Sequence, residues 1–292
     1  MLAFVTSLRH PLNSDDYGRV ERLLADTLRS VTSQASDDYV VIVVGNVRPG
    51  FPLPRKVHFV PVDFPPPLDS KGPQTGREAV IWDKGTKLGV GLLKAREFDA
   101  DWVMIFDADD FVHRNLSAFV HAHPGAPGFV VSEGWMYSAS RDEIREVDEF
   151  NRTCGTSFLL PYEAYEVPAN LGVGATQQQL ADGFGERLFR VMGAHRDAID
   201  WYAEHGRDLI PVPFRAAIYR VETGENHSGK RMFGRARPVP RSVSRDFGLP
   251  PRPRPSLRQV AGSTAGRLRR IRPRLRRLAG AAVRRLRRIA PG

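Results

Sequence analysis

A single cysteine, Cys154, is present in 292 residues, so no internal disulfide can form. Its isolation excludes the small disulfide-framed scaffolds and makes a reducing compartment the simpler setting. Long apolar runs are missing too. The best of them, residues 39–45, has the length of a strand and falls well short of the ~18 to 20 apolar residues of a membrane-spanning helix. No positively charged leader precedes a long apolar stretch at the N-terminus, and residues 3–8 are expected to form a first strand, not a signal peptide. There is no internal repeat. Acid is nearly absent beyond residue 229: residues 230–292 carry 20 Lys and Arg against Asp246 alone, a net of +19. Residues 1–229 carry 23 against 32, a net of −9. An acidic body with a basic tail implies two tasks, the second directed at something anionic.

With 41% hydrophobic residues, the chain can bury a sizeable core. Apolar positions 20, 23, 24, 28 and 31 recur at helical spacing, predicting a helix over 15–34 capped by Asp15 or Ser14. Residues 39–45 are apolar throughout and β-branched, which suits a parallel strand covered on both faces. A shorter strand is expected at 57–62. A helix is expected at 78–98, although Gly85, Gly89 and Gly91 weaken its propensity, and a buried strand at 102–106. Alternating strands and helices imply a doubly wound α/β sheet, whose ligands bind beyond the carboxyl ends of the strands. Further strands are expected at 129–137, 156–160, 209–214 and 216–221, and short helices at 186–192 and 197–204. Residues 230–255, rich in Pro and Arg, read as an extended linker.

The buried strand at 102–106 runs straight into Asp107-Ala108-Asp109-Asp110. Carboxylates this close repel one another and are costly to desolvate unless a cation compensates. Hard oxygen donors at this spacing suit Mg²⁺ or Mn²⁺, which can bridge phosphates. Strand and acidic run together resemble the GT-A glycosyltransferases, family-two-like, over residues 3–229. The resemblance implies a Rossmann-like, mostly parallel sheet flanked by helices, with a nucleotide-sugar half at about 1–112 and an acceptor half at about 113–229. It implies that Asp107 or Asp109 holds a metal on the diphosphate of a nucleotide-sugar donor, with Asp110 touching the sugar or the metal shell. Where members carry an Asp pair that reads the base, this chain has Gly45-Asn46, and Asp63 is the substitute.

Other donor contacts follow from the same resemblance. Ser7 and Arg9 end the first strand, where similar enzymes cradle the nucleoside, and Arg9 can grip a phosphate with two N–H groups. Lys84 and Lys87 share a helix face and are candidates to neutralise the diphosphate. A late histidine completes the metal site in many such enzymes, and His227 is the candidate here. Inverting transfer needs a carboxylate to take the acceptor's hydroxyl proton, for which Glu186 and Asp182 are the choices. His195 is a further candidate for that base, though it reads first as structural, and Cys154 reads as an inert buried thiol. The expected partners are a nucleotide-diphosphate sugar and a glycan, lipid-linked or polymer acceptor. Two rivals are a haloacid-dehalogenase-like phosphohydrolase and an inactive binding module. The first usually has Thr or Val where Phe111 stands.

Residues 252–292 carry fourteen Arg and no acid. Leu268, Ile271, Leu275, Leu278, Val283, Leu286 and Ile289 make an apolar stripe among them, so 256–292 is expected to be a basic amphipathic segment lying on an anionic membrane surface. Nucleic acid is the weaker partner, because the segment lacks interleaved aromatics for base stacking. The protein is expected in the cytoplasm, peripheral to the inner face of the membrane.

Overall fold

Residues 39–45 can lose all their water only between two covered sheet faces, and in the computed structural model every one of them is buried. The structure describes residues 1–69, 72 and 76–250. Its first half runs β1 (Leu2–Ser7), α1 (Tyr17–Val31), β2 (Tyr39–Gly45), β3 (Val57–Pro61), α2 (Arg77–Arg96), β4 (Trp102–Ile105), β5 (Phe111–Val112) and α3 (Leu116–His121). There follow β6 (Phe129–Val130), β7 (Glu133–Ser138), β8 (Glu143–Asp148), α4 (Phe150–Thr153), β9 (Phe158–Pro161) and α5 (Gln177–Phe184). A π-helical turn (Leu188–Met192), α6 (Ala198–Glu204), β10 (Ile210–Pro211), β11 (Ala217–Val221), β12 (Arg237–Pro238) and α7 (Arg241–Asp246) complete it.

Seven strands form the main sheet in the order β10-β6-β9-β4-β1-β2-β3. The central pairings β4–β1, β1–β2 and β2–β3 are parallel, and β9 joins antiparallel to β4. Side chains alternate between its faces as a pleated strand requires. Leu2 and Phe4 of β1, Val41 and Val43 of β2 and Met104 of β4 share one core with Leu24 and Leu28 of α1. Ala3, Val5, Ile42, Val44 and Val103 face a second core with Leu88 and Leu92 of α2. The fold is therefore mixed α/β, with a mostly parallel sheet flanked by helices. A second sheet, β12-β8-β7-β11-β5, packs beside the first half's acidic turn.

The strand order fixes where a ligand can sit. From β1 the chain steps outward through β2 to β3, then crosses back over α2 to β4 on the other side of β1. The direction of winding reverses between β1 and β4, and a crevice opens beyond their carboxyl ends. Those ends are Ser7-Leu8-Arg9 and Phe106-Asp107.

The glycines that weaken α2 as a sequence are what let it approach the sheet. A Cβ at Gly91 would lie 2.4 Å from Val5 Cγ1, and one at Gly85 would lie 2.7 Å from Leu188 Cδ2. Three details depart from expectation. Asp16, not Asp15 or Ser14, caps α1, its side chain accepting the Arg19 amide at 3.0 Å. The strand expected at 129–137 is two, β6 and β7, because the chain leaves the main sheet there for the second one. Residues 230–250 are also more than the expected linker. β12 pairs antiparallel with β8, and Val239, Val243, Phe247 and Leu249 bury against Phe111, Trp135, Ile144 and Ile218. Residues 251–255 and the tail 256–292 lie outside the described residues. Among the described residues no helix is long and apolar enough to cross a membrane.

Replacing Gly91 by Ala drives a methyl into Val5, and overpacking of this kind costs about 1–3 kcal/mol. Urea unfolding of Gly91→Ala should show that loss with an unchanged slope; a stable variant would mean that α2 does not seat this closely.

Candidate active site

Three carboxylates leave β4 on one turn, and each meets a different fate. Asp107 is partly exposed and takes the Lys84 ammonium of α2 at 2.5 Å. Burial works to raise its carboxyl, but Lys84 overrides that and holds it below the usual range. Asp109 faces the same opening and accepts the Asn226 side-chain amide at 3.0 Å. Burial, then the Asp107 charge, push its carboxyl up to about 6. Asp110 turns inward and is fully buried. It accepts the Cys154 thiol at 2.8 Å, the Thr156 hydroxyl at 2.6 Å and the Arg220 amide at 3.1 Å. Thr156 accepts in turn from the Asp107 amide at 3.0 Å, so one hydroxyl joins the two ends of the turn.

The facing loop comes from β11. Glu222 ends that strand at φ +60°, a left-handed conformation unfavourable for a side chain with a Cβ. Its carboxylate secures the turn by accepting from Ser138 at 2.5 Å and Arg141 at 2.6 Å. The chain then doubles back over the crevice. Buried Glu225 accepts the Asp16 amide at 2.8 Å and pairs with Arg9, which also donates to the Glu225 carbonyl. Asn226 donates to the Arg220 carbonyl at 2.9 Å while holding Asp109. The loop is thereby bonded to both strand ends that frame the crevice.

Together these elements enclose a cavity of about 510 Å³. Ser7, Arg9, Lys84, Asp107, Asp109 and His227, chosen from sequence as separate candidates, all line it. The other candidates do not. Lys87 is wholly buried and donates to the Leu8 carbonyl at 3.0 Å and to Asp83 at 2.9 Å, so it props the end of β1 and meets no ligand. Asp110 is spent on internal bonds. Asp63 lies exposed beside a different hollow with Phe64 and Val173. Asp182 and Glu186 are exposed and away from the cavity. The reason is the phase of α5: Leu180, Ala181 and Phe184 face the core, which turns Asp182 outward to Gln178, and Glu186 lies beyond the helix end beside Arg190.

Sequence reading passed over Asn226 and Glu225, and ranked His195 first as structural. The first two sat in the stretch that supplied His227, and their value as anchors depends on contacts across the fold. His195 lines the cavity near Asp107 and Lys84. Its Nε2 is buried without a hydrogen-bond partner. Burial, then Lys84, lower the imidazole to about 4, so the ring is neutral.

A divalent cation suits this donor set. The compact group of ligand-capable side chains among the described residues is Asp107, Asp110 and Cys154, with atoms within 4.8 Å of one another, while the expected Asp107, Asp109 and His227 line the cavity together. Burial holds the Cys154 thiol well above its usual range, and it donates to Asp110, so it offers a proton and no thiolate. What remains toward the cavity is carboxylate oxygen, with Asp109 raised by a neighbour whose charge a hard cation would offset.

No family model and no curated protein matches the chain. Among solved structures it is similar to S. aureus TarS 1-349, at 10% identity and a TM-score of 0.39, covering 75% of this chain and 60% of that one. The same TarS fragment in complex with UDP-GlcNAc gives 11% and 0.41 over 79% and 61%. A Desulfovibrio desulfuricans G20 protein named for nucleotide-diphospho-sugar transfer gives 8% and 0.33 over 75% and 80%. The match spans about three fifths of the TarS fragment, and the likeness is one of chain course alone.

The two inner acids should behave oppositely on mutation. Asp110→Ala strips three buried donors of their acceptor and should cost roughly 2–4 kcal/mol. Asp109→Asn removes a disfavoured charge and should leave stability unchanged or raised. Chemical denaturation of both variants checks the assignment, which fails if Asp109→Asn is the more damaging.

Proposed function

We propose that the chain is a glycosyltransferase of GT-A type, moving a sugar from a nucleotide-diphosphate donor to a glycan, lipid-linked or polymer acceptor. The observation that carries the reading is the meeting of Asp107 and Asp109 with Arg9 and Lys84 in one cavity at the winding reversal of a parallel sheet. Nucleotides bind at such reversals, and a leaving diphosphate needs both hard-cation ligands and fixed cations. The nucleotide-sugar half is residues 1–112 and the acceptor half 113–229, with the ordered segment to 250 bracing the latter.

In this reading Ser7 and Arg9, at the end of β1, and the apolar Val20 and Leu23 of α1 take the nucleoside. Asp107 and Asp109 would hold Mn²⁺ or Mg²⁺, which when bound offsets charge on the departing diphosphate. Lys84 adds a fixed cation beside them, and Asn226 orients Asp109. His227 faces the same space as a further donor. Transfer with inversion asks for a base at the acceptor hydroxyl. His195, a neutral imidazole lining the cavity with Nδ1 toward Gly155, is assigned to accept the hydrogen bond of that hydroxyl, where Asp182 and Glu186 lie outside the cavity. The tail 256–292 is assigned to an anionic membrane surface, which sets the protein at the cytoplasmic face with lipid-linked or polymeric acceptors.

Thermal unfolding with a panel of nucleoside diphosphates, with and without Mn²⁺, tests the donor site. Ligand at ~100 times its Kd should raise the midpoint by roughly 5 °C or more for one base, and only with metal. Asp109→Ala should abolish the shift. A wild type that no nucleotide stabilises would sink the reading.

For the tail, each basic residue near an anionic surface contributes about 1 kcal/mol. Flotation of the full chain should show binding to vesicles with anionic lipid and none to neutral ones. Binding should be lost as salt rises from ~0.1 to ~1 M, where the screening length falls from ~10 to ~3 Å. Salt-insensitive binding contradicts the assignment.

A further inference from the structure

The cavity's cations fall into two groups. Arg9 pairs with Glu225 and Lys84 with Asp107. Arg196 and Lys230 line the same cavity, yet among the described residues neither meets a carboxylate. Lys230 is half-buried, its ammonium donating to the Thr153 carbonyl at 3.3 Å and lying 5.7 Å from the Tyr219 ring centre. Burial, then the Arg196 charge, push Lys230 below its usual range, so the two cations are close enough to repel. Both also act to lower His195. Arg196 is exposed where it lines the cavity and Lys230 is half-buried, and with no acid beside either among the described residues they leave an excess of positive potential there that an anion would relieve.

Both stand on the part of the lining that the second half of the chain contributes. Gly155 lies where that part meets the acidic turn. A Cβ there would come within 3.3 Å of Asp107 Oδ2 and Lys84 Nζ, and within 3.4 Å of His195 Nδ1. Asp107, Lys84 and His195 thus meet at Gly155, and Arg196 and Lys230 belong to the same second-half lining as His195. Ser7, Arg9 and α1 belong to the nucleoside end. A group held by Arg196 and Lys230 would sit next to His195, where an acceptor hydroxyl must arrive.

We propose that Arg196 and Lys230 form a second anion site that receives a phosphate group carried by the acceptor. This rests on the transferase reading and narrows it: the acceptor is a phosphorylated molecule, and the pair holds it by charge-assisted N–H···O bonds with its hydroxyl toward His195. The bidentate fork of Arg196 supplies direction, and the Lys230 ammonium supplies a compact point charge.

The test uses the full chain saturated with a nucleoside diphosphate and Mn²⁺, so that the donor subsite is filled. Inorganic phosphate, sn-glycerol 3-phosphate and dihexanoylphosphatidic acid below its micellar concentration are titrated in turn. The readout is the ¹H–¹⁵N ring signal of His195, assigned with His195→Asn, which the arginine-rich tail does not report. Phosphate should shift that signal saturably with nucleotide present. Arg196→Ala and Lys230→Ala should each weaken phosphate by about tenfold or more, with nucleotide affinity within about twofold of wild type. Preference for glycerol phosphate would mark a soluble or polymeric source, and preference for the phosphatidic acid a lipid one; both support the site. The proposal is overturned if phosphate merely competes with nucleotide, if the variants lose nucleotide instead, or if wild type shows no His195 shift while still binding nucleotide. Failure of nucleotide binding itself would instead overturn the transferase reading beneath it.

Discussion

Three carboxylates within four residues at the end of a buried strand cannot all be treated alike, because their mutual repulsion grows as water is withdrawn. Each is handled by a different device. Lys84 neutralises Asp107 across the gap between α2 and β4. Three donors from the second half of the chain satisfy Asp110 in the interior. Asp109 receives one amide from Asn226 and is left with its charge largely unanswered. The turn is therefore anchored at one end, screened at the other, and reactive toward the cavity in the middle. Arg9, Glu225 and Asn226 all depend on that turn staying where it is, since the loop after β11 is bonded to it.

The packing of α2 is what makes the screening possible. Lys84 and Lys87 are three residues apart, one reaching the end of β4 and the other the end of β1. A helix held a full side-chain length from the sheet would place these ammonium groups too far away. Gly91 removes that length against Val5 of β1, and Gly85 admits Leu188, both at the expense of helix propensity. The weakness of the helix as a sequence and the strength of the site as a structure have one cause.

Much of the first half was legible from sequence, because its signals are local. An all-apolar β-branched run can only be a doubly covered strand, and strand order follows from alternation with helices. The meeting of Ser7 and Arg9 with Asp107 and Asp109 follows from where the strands end, while Lys84 on α2 and His227 after β11 reach the same cavity from other elements. What was not legible depends on phase or on distant partners. Asp182 and Glu186 matched a motif loosely, but the apolar phase of α5, set by Leu180 and Phe184, turns them away. Lys87 looked like a solvated twin of Lys84 until the helix buried it. Residues 239, 243 and 247 carry an apolar spacing of four that the surrounding Pro and Arg concealed, and that spacing, with Leu249, gives the second sheet its cover. The different duties of Asp109 and Asp110 were invisible, since their partners lie more than forty residues away.

Charge at the two ends of the cavity follows one logic. At the end of β1, Arg9 is paired with Glu225, and an anion there must compete with an internal carboxylate. Breaking an internal ion pair lowers the net gain from binding. Among the described residues Arg196 and Lys230 have no internal acid to displace, so any anion that fits receives their full attraction and relieves their repulsion. A ligand carrying charge to that pair needs no exchange of partners to enter or leave. One that reaches Arg9 or Lys84 must displace an internal carboxylate first. Paired cations at one end and unpaired ones at the other thus give a single cavity two different thresholds for binding.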